Sequence, residues 1–131
     1  MQQNGGPPVT VALDMHCPYI RDTRIYFAGG PTGRNQVNTD RLCRLLEQVQ
    51  TGALRYQPEH NLPFGTGWNA AGTYAGRKSF ALWAEELPGN RIATTVELPY
   101  ASVGSAAVTA KTARAFGRDL ARALRLFLDG I

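Results

Sequence analysis

Two side chains able to work together in proton or metal chemistry stand at the ends of two strand-like segments. His16 closes the run Val9-Thr10-Val11-Ala12-Leu13-Asp14-Met15-His16, and Glu97 closes Arg91-Ile92-Ala93-Thr94-Thr95-Val96-Glu97. Both runs are rich in apolar and β-branched residues, the pattern of a strand covered on both faces. A proline follows each, Pro18 and Pro99, and proline ends a ladder because it has no N–H to donate. Ligands of open α/β sheets bind at the carboxyl ends of strands. The pattern therefore predicts an imidazole and a carboxylate facing one cleft. A neutral imidazole can ligate a metal or carry a proton. A buried carboxylate is costly unless it is paired or metal-bound, and it can act as a general base. Two plainer readings stand beside this one: a core histidine with satisfied hydrogen bonds, and a buried Glu97–arginine salt bridge.

Composition bounds the rest. A chain of 131 residues, 44% hydrophobic and 18% charged, is expected to form one globular domain. No apolar run is long enough to cross a bilayer. The opening residues 1–8 lack the basic and apolar regions of a signal peptide and read as an N-terminal loop. The charge of +4 comes from 14 basic and 10 acidic residues. Lys111, Arg114, Arg118, Arg122 and Arg125 share one face of a final helix. No aromatic residues for base stacking are interleaved with them, so this is the solvated face of an amphipathic helix. Neither a nucleic acid nor a membrane is an expected partner. Cys17, Cys43, His16 and His60 are the residue types of a structural zinc site but not its spacing. A Cys17–Cys43 disulfide stays open.

The elements that must position His16 and Glu97 are legible in outline. Strands are expected at Val9 to Leu13, Arg24 to Ala28 and Ile92 to Leu98. Leu42, Leu45, Leu46 and Val49 recur at helical spacing, with Asn38 or Thr39 as the cap and Gly52 as the stop. His60 to Gly76 is a glycine-rich loop carrying Phe64, Trp68 and Tyr74, a mobile wall or a core-edge seal. Ser79 caps a short helix through Phe80, Leu82, Trp83 and Leu87. Thr109 caps a long last helix whose apolar face holds Ala113, Phe116, Leu120, Leu124 and Phe127, with Gly130 ending it. Alternating strands and helices predict an α/β fold, a partial mixed or mostly parallel sheet with packed helices and at least one open edge.

In their order and spacing, Leu13-Asp14-Met15-His16, the loop with Tyr74, Ser79 to Trp83, Thr94-Thr95-Val96-Glu97 and the closing helix resemble the C-terminal half of the zinc metallocarboxypeptidases of the funnelin type. The resemblance runs from about Val9 to Leu128. It implies that residues 9–131 are the C-terminal part of a catalytic α/β domain that removes C-terminal residues from peptides and proteins. His16 is then a zinc ligand, and Asp14 a candidate to orient its ring. Glu97 is the general base. Tyr74 is the tyrosine on the loop that closes over the substrate carboxylate. Ala81 lies near the floor of the side-chain pocket and argues against Lys or Arg as the residue removed. The family's strained peptide bond after this histidine falls here at Cys17–Pro18, which leads to the expectation of a cis bond, cheaper before proline than elsewhere.

The departures are as specific. No His-x-x-Glu motif is present to supply the other two zinc ligands, and the Asn-Arg pair that grips the substrate carboxylate is absent. Catalytic zinc usually has three protein ligands. The chain therefore reads as half of a catalytic domain, completed by a missing N-terminal half. The alternatives are a non-catalytic peptide-binding module and an inactive fragment of the same fold.

Overall fold

The computed structural model describes residues 6–70, 72 and 75–130. Residues 1–5 of the expected N-terminal loop lie outside that set. A three-stranded sheet is built from β1 (Val11–His16), β2 (Tyr26–Ala28) and β3 (Ile92–Glu97) in the order β1-β3-β2. Helices α1 (Gly33–Val49) and α3 (Ala110–Leu128) pack on one face, and α2 (Phe80–Glu85) on the other. A small hairpin, β4 (Ser102–Val103) and β5 (Ala106–Ala107), joins β3 to α3.

The fold is mixed α/β, and the sheet is mixed rather than largely parallel. β1 runs parallel to β3, but β2 runs antiparallel to it. The connection between β1 and β2 explains this. It is too short for the crossover that a parallel return needs, so the chain turns back (Asp22 N–H to Tyr19 O, 2.8 Å) and lies down on the far side of β3.

Strand alternation sorts the side chains. Ile92 and Val96 of β3 and Phe27 of β2 join Leu42, Leu45 and Leu46 of α1 and Phe116, Leu120 and Phe127 of α3 in the main core. Ala12, Ala93 and Ala84 form a smaller cluster under α2, where short side chains let the helix approach the sheet. β3 is buried as expected, but β1 is not covered on both faces. It forms an open edge, with Met15 52% exposed and Val9 40%.

The free flank of β3 is closed by side chains. β2 pairs only with Thr95, Val96 and Glu97. Beyond it, Asn35 of α1 takes the place of a strand. Its Oδ1 accepts from Ala93 N–H at 2.9 Å, and its Nδ2 donates to Ala93 O at 2.9 Å. Asn38 Nδ2 donates to Arg91 O at 2.8 Å. This explains why α1 starts well before the expected cap. Thr32 caps it, accepting from Asn35 N–H at 3.3 Å, and its polar first turns are retained because they dock on β3. The helix ends at Gln50, not Gly52. The caps expected at Ser79 and Thr109 are present, the latter as a reciprocal pair with Thr112.

Candidate functional site

The two residues singled out in the sequence are direct neighbours. His16 and Glu97 are register partners across the β1–β3 pair, and Tyr26 is the partner of Glu97 on the other side. Paired residues share a face, so Tyr26, Glu97 and His16 form a transverse row on the α2 side of the sheet. Beyond the N-terminus of α2 that face opens into a cleft of about 520 Å³, lined by Asp14, His16, Asp22, Tyr26, Trp68 and Glu97 among others. It lies at the carboxyl ends of the parallel strands, where ligands of such sheets bind.

Glu97 is 4% exposed, and its Oε2 has no hydrogen-bond partner among the described residues. No arginine pairs with it among the described residues, so the structural salt-bridge reading fails. Burial pushes its pKa above the ordinary carboxylate value. The imidazole of His16 partly offsets this, while Asp14 and Asp22 add to it. Such a group is a better proton acceptor near neutrality than an exposed glutamate.

His16 is not a satisfied core residue either: its side chain is 61% exposed. Asp14, two residues earlier on the same face, approaches its Nε2 to 3.8 Å, an ion-pair distance too long for a hydrogen bond. The Cys17–Pro18 bond is trans, against the expectation of cis. Trans is the lower-energy isomer before proline by about 0.5–1 kcal/mol. Cys17 and Cys43 are free thiols, one exposed and one buried. Burial raises the Cys43 thiol to about 11.

The loop read as a mobile wall or a core-edge seal is pinned in its first half. Gly29 N–H donates to Leu62 O at 2.8 Å, and Leu62 N–H to Phe27 O at 3.0 Å, which extends the sheet beyond β2. Asn69 Nδ2 ties Gly29 O and Leu62 O at 2.8 and 3.1 Å. Asn61 Oδ1 accepts from Phe27 N–H and from the Tyr56 hydroxyl, both at 2.9 Å. Trp68 is thereby held against Tyr26, its indole N–H donating to the phenol oxygen at 3.4 Å. Burial raises the Tyr26 pKa, and the Trp68 bond opposes the shift. Tyr74 lies outside the described residues. Ala81 borders a tighter hollow beside the cleft, with Trp68, Ser79 and Thr95 common to both.

Trp68, one of the aromatics expected on the loop wall, does line the cleft. Asp22 and Tyr26 were not legible as site residues. For Tyr26, the usable signal was strand alternation once β2 is known to pair antiparallel with β3.

Among the described residues, no group of three or more His, Cys, Asp or Glu side chains is arranged to hold a metal ion. His16 offers one cleft-facing imidazole. Comparison with protein-family models, with curated proteins and with solved structures gives no match.

Proposed function

We propose that this chain is the C-terminal half of a zinc metallocarboxypeptidase-like catalytic domain that hydrolyses the C-terminal peptide bond of peptides and proteins. The observation that carries the reading is the pairing of a cleft-facing imidazole, His16, with a buried carboxylate, Glu97, whose Oε2 has no partner among the described residues, in register at the ends of two parallel strands. Together with the ordered motifs around them, this favours the enzyme over a binding module. A desolvated carboxylate without a partner is costly to keep, and perturbed groups of this kind in a cleft cluster at functional sites.

His16 is one zinc ligand in this reading, and a missing N-terminal half supplies the remaining two. The open edge of β1, with Val9 and Met15 exposed, is the surface such a half would cover. Zinc, when bound, polarises the scissile carbonyl and makes water a stronger acid. Glu97 takes a proton from the attacking water, whose oxygen bonds to the carbonyl carbon. Glu97 then hands that proton to the amine nitrogen as the C–N bond breaks. Tyr74 would contact the terminal carboxylate. Ala81 itself brings no charge to the hollow beside the cleft, although Glu85 lines the same hollow.

The test is hydrolysis of a blocked C-terminal dipeptide by this chain joined to a segment bearing His-x-x-Glu, alongside the chain alone. Zinc-dependent release of the C-terminal amino acid by the joined form supports the proposal. Peptide binding without hydrolysis in that form would favour the non-catalytic module.

A further inference from the structure

We infer that the cleft continues as a cationic groove that holds acidic side chains of the peptide on the N-terminal side of the cleaved bond. The inference rests on the proposed function for its direction. If the substrate's C-terminal residue sits beside Glu97, the chain leaving the cleft runs toward the substrate's N-terminus.

The continuity is geometric. Asp22, Tyr26 and Trp68 line both the cleft and a second open hollow of about 290 Å³. That hollow adds Arg24 and His60, which it shares with a third hollow of about 310 Å³ bearing Arg55. The Tyr26–Trp68 contact forms the saddle between cleft and groove. The balance of charge shifts along this path. The cleft carries Asp14, Asp22 and Glu97, whereas the groove keeps Asp22 at its near end and adds Arg24 and Arg55, with His60 between them.

The groove's cations are not used up by the fold. Asp22 Oδ1 accepts from the backbone N–H of Arg24 at 3.1 Å and makes no ion pair with its guanidinium among the described residues. Arg55 Nη1 donates to Gln50 O at 3.1 Å, a neutral acceptor. Neither arginine has a carboxylate partner among the described residues. Guanidinium groups bind carboxylates through two parallel hydrogen bonds, so aspartate and glutamate side chains are the ligands that this groove fits.

Binding is measured by fluorescence anisotropy with two labelled peptides that share a C-terminal dipeptide and carry Glu-Glu or Lys-Lys before it. The protein is the joined, zinc-loaded form bearing Glu97→Gln, so that peptide is not consumed. The Glu-Glu peptide is expected to bind about tenfold tighter at low salt, with the gap closing near 0.5 M salt as screening sets in. The double variant Arg24→Glu/Arg55→Glu should abolish or reverse the preference. Equal binding of the two peptides, or a preference that survives the double variant, would overturn the inference. Hydrolysis of both peptides by the form with Glu97 intact is followed in parallel. A Glu-Glu preference in binding with neither peptide hydrolysed would overturn the proposed function and leave the groove standing. Hydrolysis without any preference would overturn the groove alone.

Discussion

Glu97 and His16 face each other across two hydrogen-bonded strands, yet the carboxylate is buried and the imidazole stands in the open. Strand position produces the difference. β3 is central, with Glu97 flanked on both sides by paired strands, whereas β1 is an edge. The pair thus sets a desolvated carboxylate beside an accessible imidazole, and the proposed activation of water rests on that arrangement.

The raised pKa of Glu97 has a consequence for stability. Its folded value lies above its unfolded value, so in the window between them the native state binds more protons. Stability should therefore fall as pH rises through that window, and the cost of the buried charge is fully present above it. Glu97→Gln, a near-isostere without the charge, should raise the melting temperature at pH 8 and leave it nearly unchanged at pH 4. Thermal melts at the two pH values check this, and a loss of stability at pH 8 would argue that Glu97 has a cationic partner.

Asp119 is the acidic residue on which the α1–α3 junction depends. It is 2% exposed and accepts from the backbone N–H groups of Thr51 and Gly52 at 2.9 and 2.8 Å. The Thr51 hydroxyl adds a third contact at 3.2 Å. Asp119→Ala strands these donors and should cost about 3 kcal/mol, with Asp119→Asn costing less. Denaturant titration is the measurement.

Asn35 supplies the pairing that β3 lacks. Asn35→Ala should cost about 2–4 kcal/mol because it leaves the N–H and C=O of Ala93 buried without partners. Asn35→Asp keeps the acceptor, loses the donor and adds a charge, so it should be no better. Hydrogen exchange at the Ala93 amide reads the effect locally, and protection equal to wild type would contradict it.

His16 is exposed, so His16→Ala should shift the melting temperature of the chain alone very little. In the joined form it should lower zinc affinity by at least tenfold, since one ligand of three is removed. Calorimetric zinc titration distinguishes this from a purely structural histidine.

The strand ends and the two residues that stand there could be read from the sequence because they depend on local pattern: β-branched runs, stopping prolines and polar residues just before them. The caps at Ser79 and Thr109 were legible for the same reason. What stayed hidden depends on partners far along the chain. The polar first turns of α1 carry no helical apolar stripe, and they persist because Asn35 and Asn38 bond to β3. Nothing in the basic face around Asp119 signals that its carboxylate is buried. The exposure of β1 was misread from a run that does alternate. Ala12, Asp14 and His16 share one face, and Val11, Leu13 and Met15 the other, as on an edge strand with two unlike sides. The glycines between His60 and Gly76 suggested mobility, whereas Asn61 and Asn69 fix the first half of that loop to the sheet.

The most direct test of the central claim compares zinc content and peptide hydrolysis in the joined form and its Glu97→Gln and His16→Ala variants. Glu97→Gln is expected to keep its zinc and lose at least about a hundredfold in kcat, the loss typical of removing a general base. His16→Ala is expected to lose both zinc and activity. Full activity in Glu97→Gln, or zinc bound as tightly without His16 as with it, would contradict the roles assigned to this pair.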